Sequence, residues 1–350
     1  LIVIVFNIYL LIPALLSSDK LLFVSIYILP FSGFYLIRSN FGNKINFYQL
    51  ILYLSFFIPL FTLIEFIPEN FLNYKIINYE NVSTDVIQSG TIYGGARYDK
   101  KVHPLVLLFA PEYSLVERPL GVSMSPQTTG VVIAGLGLYL ISLNYKKYYF
   151  RILIVILGLL STLSGTGFLI FLLGLPIILN IKNRWIILPF LIPMMAIIAI
   201  LLRGYEGMIG FVGKYILYLG RYTLYQVNIF FDNPVILFGG NQSITMDIDY
   251  ANYLFRFGLF GVILFSSMVL IFFKYCKRLY KIDKNLKALF ILANVILIAN
   301  FHYSSVFRFP GSFILFMIFG FASKNNFRLS NIIHTKDNNF IPKSRISLPS

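Results

Sequence analysis

The sequence predicts an all-α, polytopic integral membrane protein with about ten transmembrane helices and two large extracytoplasmic loops. Three observations carry that expectation. Of the 350 residues, 58% are hydrophobic and 12% charged, whereas a soluble domain has about a quarter of its residues charged. Apolar runs of membrane-spanning length recur from one end of the chain to the other. The basic residues fall in short segments between those runs, on one side of them.

Spans read at 1–16, 21–37, 48–66, 126–144, 151–163, 167–180, 185–202, 251–273, 288–303 and 307–322, from a helical rise of about 1.5 Å per residue against about 30 Å of hydrocarbon. The first run lacks a basic leader and is followed at once by another, so it reads as a span rather than a cleavable signal. The chain divides accordingly into N-terminal transmembrane helices (1–66), a first large outer loop (67–125), central transmembrane helices (126–202), a second large outer loop (203–250), C-terminal transmembrane helices (251–322) and a basic cytoplasmic tail (323–350).

The two runs flanking "STLSGTG" are short for a crossing, and they form either a hairpin or one bent helix. Charge favours the hairpin. It places Arg38 and Lys44, Lys146, Lys147 and Arg151, Lys182 and Arg184, the 274–287 loop and the tail from Lys324 on a common face. Eighteen of the 29 basic residues then share that face with only Asp283 and Asp337 of the 14 acids. Cytoplasmic loops carry such an excess, so the net charge of +15 is an orientation signal. Anionic lipid headgroups suit these loops. A nucleic-acid partner does not, because the cations sit in short loops with no amphipathic groove. The single cysteine, Cys276, falls on the cytoplasmic side and has no partner for a disulfide.

Loops longer than about 12–15 residues are usually functional or disordered, and the two outer loops are rich in aromatics, prolines, glycines and mixed charge. The second opens "RGYEGMIGFVG", with Gly204, Gly207, Gly210 and Gly213 at every third position: a narrow packing strip if helical, a hinge if not. Next, "KYILYLGRYTLYQ" sets Lys214, Tyr218, Arg221 and Tyr225 on one helical face. That face is either an interfacial belt or a binding surface. Cations would meet phosphate and phenols a sugar ring.

In "LVERPLGVSMSPQTTG" the ring of Pro119 restricts Arg118 to extended conformations, so its side chain is expected to project from a stiff turn. The polar start of the following span could present backbone N–H groups to an anion. Asp247 and Asp249, in "MDIDYANYLFRFGLFG", precede a span whose first turns contain Gly258 and Gly261. A carboxylate that close to hydrocarbon pairs or works, with Arg256 and Arg221 as candidate partners. His302 and Arg308 reach the same face from the turn before the last span. No spacing of acids and histidines matches a metal-ligand set.

Together "ERPLGVSMSPQTTG" before a span, "STLSGTG" in a hairpin, and "GRYTLYQVNIFFDNPVILFGGN" followed by "DIDYANYLFRFGLFG" resemble the Wzy-type O-antigen polymerases of the O-antigen polymerase and ligase superfamily. The resemblance covers roughly residues 110–322. It implies a GT-C-like membrane glycosyltransferase of lipopolysaccharide biosynthesis in the bacterial inner membrane, with no cofactor and its active site facing the periplasm. The implied substrates are oligosaccharides on undecaprenyl pyrophosphate, and the implied partner is a chain-length regulator protein. Arg118 and Arg221 match the family's arginine-bearing outer loops. Ligases of the superfamily carry a histidine about eleven residues before the first glycine of a GxxG, where this chain has Asp247, and that favours the polymerase.

The reaction this implies uses Arg118 and Arg221, helped by Lys214, to balance charge on the departing pyrophosphate. Asp249 or Asp247 takes the proton from the attacking hydroxyl, with His302 in reserve. Tyr218, Tyr225 and Arg308 complete the expected binding residues. Two other readings are an O-antigen ligase and a transporter of lipid-linked sugars. The second is disfavoured because no internal repeat is visible.

Overall fold

The computed structural model describes residues 5–6, 9, 29–39, 46–72, 74, 101–102, 115–116, 118–123, 125–179, 249–279, 285–299 and 310–338. Eight helices account for nearly all of them. α1 is Leu29–Arg38, α2 Phe47–Phe71, α3 Pro126–Asn144, α4 Tyr149–Thr162, α5 Gly165–Ile178, α6 Asp249–Leu279, α7 Asn285–Ala299 and α8 Gly311–Asn338. The remaining elements are a 3-10 turn, Gly121–Ser123, and a two-residue antiparallel ladder that pairs Lys101 with Val116 and Val102 with Leu115.

The chain is thus all-α among the described residues, apart from that ladder. Among the described residues, three helices are long and apolar enough to cross a membrane: Phe47–Phe71, Pro126–Asn144 and the stretch Gly258–Cys276. On α2 the membrane character is visible in cross-section. Phe47, Ile51, Ser55, Ile58, Thr62, Glu65 and Glu69 recur at helical spacing and are buried. Tyr53, Phe57, Ile64, Ile67 and Phe71 are nevertheless exposed on the other side, where a water-soluble helix would be polar.

α3 is the centre of the bundle. It touches α2, α4, α5 and α7, and from Thr128 to Leu140 every residue is buried. Glycines let the neighbours approach. Gly135 faces Leu292 and Val295 of α7, and Gly137 lies between Val155 of α4 and Phe171 of α5. A second group forms where α1 packs on α8. A Cβ at Gly33 would lie 2.8 Å from the Phe313 carbonyl oxygen, and one at Gly320 would lie 2.6 Å from that of Phe34. Lys324 then donates to the Ile37 carbonyl at 3.1 Å, so a cation satisfies a terminal acceptor of α1. α6 joins this group through α8, with Phe272 against Phe319 at 4.4 Å between ring centroids.

"STLSGTG" folds as a hairpin. Leu163 takes the left-handed conformation, φ 49 and ψ 32, which ends α4, and Ser164 caps α5 by accepting from the Gly167 N–H. Gly130 of α3 meets Thr162 and Ser164 near the turn, while Gly137 lies between Val155 and Phe171 farther along. Both arms therefore run back along α3, one on each side.

Several boundaries differ from the sequence expectation. α2 continues through Pro68 to Phe71, so the first loop starts later than residue 67. Asn70 Nδ2 donates to the Phe66 carbonyl at 3.0 Å and Leu72 N to the Pro68 carbonyl at 3.0 Å, which sustains the turn that proline weakens. α8 runs to Asn338, because a helix need not stop where its apolar stretch does; the basic tail therefore begins helical. Near Asp249 a helix does start, but Gly258 at φ 67, ψ 176 breaks it. The apolar span therefore starts at Gly258 rather than at residue 251.

Candidate functional site

The buried polar residues concentrate at one end of the bundle, where α2 ends, α3 begins and the α4–α5 hairpin turns. Glu65 lies in the penultimate turns of α2, 4% exposed. Its Oε1 accepts from the Leu120 N–H and its Oε2 from the Gly121 N–H, each at 2.9 Å. Two consecutive amides thus converge on one carboxylate, and the chain turns directly after them at Gly121, φ +64.

Arg118 lies two residues upstream and is 7% exposed. Its Nε donates to the Thr162 carbonyl at 3.0 Å and its Nη2 to the Leu163 carbonyl at 3.4 Å. These are end-of-helix acceptors of α4, which have no partner within the helix and carry the negative end of its dipole. A guanidinium fork meets both needs. The side chain expected to project from the loop is thus folded inward, because α4 ends beside it.

Hydroxyls fill the rest. Thr129 Oγ1 donates to the Leu120 carbonyl at 2.9 Å and is hydrogen-bonded to the Ser123 hydroxyl. Ser164 Oγ donates to the Gln127 carbonyl at 3.3 Å, tying the hairpin turn to the first turn of α3. Thr162 Oγ1 accepts from the Ser164 N–H at 3.3 Å. The start of α3 is also closed from within. Pro126 has no N–H, Thr128 N donates to Ser125 Oγ at 3.5 Å and Thr129 N to the Ser125 carbonyl at 2.9 Å. Most of the amides expected to face an anion there are therefore already used as an N-cap.

Gly121 is the point this geometry tolerates least. An L side chain is strained at its φ, and a Cβ would stand 2.6 Å from Thr129 Cγ2. Gly121→Ala is expected to cost about 1–3 kcal/mol, read as a lower unfolding temperature of the detergent-purified protein.

Of the sequence-predicted residues, Arg118 lies in this cluster. Asp249 is the first residue of α6, ahead of the break at Gly258. Asp247, Arg221, Lys214, Tyr218, Tyr225, His302 and Arg308 lie outside the described residues. Among the described residues, no group of three His, Cys, Asp or Glu side chains could hold a metal ion. Glu65 is the residue that sequence reasoning passed over. The available signal was an acid inside a predicted span, one residue from its end.

No family model, no curated protein and no solved structure matches this chain.

Proposed function

We propose that this chain is a polysaccharide polymerase of the O-antigen type. It has about ten spans, lies in the bacterial cytoplasmic membrane and works at its outer face. It moves a growing glycan from undecaprenyl pyrophosphate onto a new lipid-linked repeat unit. One observation favours this reading most. "ERPLGVSMSPQTTG" and "STLSGTG", which carry the family resemblance from separate parts of the chain, meet in one buried polar cluster through Arg118 and Ser164.

In the proposed reaction a sugar hydroxyl of the acceptor attacks the anomeric carbon of the donor. The bond from that carbon to the pyrophosphate oxygen breaks as the new glycosidic bond forms, with inversion. Asp249 or Asp247 takes the hydroxyl proton, His302 being the reserve base. Arg221 and Lys214 meet the phosphate oxygens, Tyr218, Tyr225 and Arg308 hold the substrate, and Arg118 supplies a cation fixed at the hairpin turn. Charge on the leaving group is balanced by the protein, without a metal.

The test is the surface glycan of a deletion strain. A polymerase predicts single repeat units attached to the lipid core, restored to a ladder by the intact gene. Polymer that accumulates unattached would identify a ligase instead, and the absence of any exported repeat unit would identify a transporter.

A further inference from the structure

We propose that Glu65 is a positioning residue, fixing through the main chain of Leu120 and Gly121 where the Arg118 guanidinium lies. For its catalytic readout the proposal rests on the polymerase reading above; its geometric part stands independently. A carboxylate in an apolar helix is costly to insert, and packing alone would be served by an apolar side chain. Glu65 instead directs both oxygens at consecutive amides that lie 55 and 56 residues away in sequence. The chain from Arg118 to Gly121 is thus clamped from two sides: its amides by α2, its guanidinium by the end of α4. Thr129 holds the Leu120 carbonyl between them. If the α2 clamp opens, the segment can slide and the guanidinium loses its register with the Thr162 and Leu163 carbonyls.

The requirement is for two acceptors. Glutamine has the shape of glutamate, but it turns an NH2 toward one of the amides and places two donors face to face. Aspartate keeps both acceptors at shorter reach. The test uses the full-length protein in membranes, with Val122→Cys as reporter in a Cys276→Ser background; Val122 is half-buried beside the clamp. Glu65→Gln is expected to raise maleimide labelling at position 122 about tenfold, the scale of one lost charge-assisted hydrogen bond. Native Cys276, buried in α6, should label no faster in its own background. With purified lipid-linked donor, kcat should fall with KM little changed, and Glu65→Asp should recover most of both properties.

Unchanged labelling at position 122 in Glu65→Gln would overturn the proposal. So would an equal rise at Cys276, since Glu65 would then hold the bundle as a whole. Should the glutamine variant fail to reach the membrane, Glu65→Met decides, since it keeps the length, lacks both acceptors and inserts more readily in an apolar helix: faster labelling at position 122 supports the clamp and wild-type labelling refutes it. Labelling that changes as expected in a protein whose deletion leaves the glycan ladder intact would keep the clamp and discard the polymerase.

Discussion

Arg118→Ala is expected to collapse the glycan ladder to single repeat units while the protein remains in the membrane. The substitution removes a cation and leaves the Thr162 and Leu163 carbonyls without the donors that reach them in the native protein. An acceptor stranded in a buried site costs about 1–3 kcal/mol, so the unfolding temperature should fall as well. Arg118→Lys separates the two effects. Lysine keeps the charge but, as a point donor, cannot reproduce the fork, so part of the activity should return with little of the stability. Gel profiles of the glycan, read beside melting of the purified variants, check both. A full-length ladder from Arg118→Ala would remove the residue from the reaction.

Gly167→Ala should be the most damaging conservative change in the hairpin. A Cβ there would lie 2.7 Å from the carbonyl carbon and oxygen of Gly130, and backbone cannot swing aside as a side chain can. α5 would have to lift from α3, at about 1–3 kcal/mol or more. The same sequence supplies its own control. At Gly165, two positions earlier, a Cβ would meet nothing within 4 Å. Gly165→Ala should therefore melt like the wild type, and Gly167→Ala well below it. Equal melting of the two would mean that the close approach of α3 and α5 carries no weight.

The contrast between those two glycines shows where sequence reasoning stops. Local features were legible. The span at 126–144 coincides with α3 because Ser125 and Pro126 form an N-cap and N1 pair and Asn144 precedes the basic turn. The hairpin was readable from the sidedness of charge. Glu65 and Arg118 were not readable in the same way, because their partners are backbone groups. The amides that Glu65 holds lie 55 and 56 residues away and come within its reach only when the segment before α3 docks on α2. The carbonyls that Arg118 reaches become available only because Leu163 ends α4. Neither event has a side-chain signature. The break at Gly258 was equally hidden, since a glycine among apolar residues is compatible with a continuous helix and with a kink.

The enclosure of α3 has a consequence for biogenesis. A segment wrapped by protein on every side does not need a lipid-soluble exterior, which is why it can carry Thr128, Thr129 and three glycines. Those same residues make it the least apolar of the three long apolar helices among the described residues, and three of its four neighbours, the hairpin and α7, are translated after it. Burial of the central helix is therefore completed only as later segments emerge, and a ribosome stalled before them would hold a chain whose innermost strut has α2 alone, of its four neighbours, to lean on.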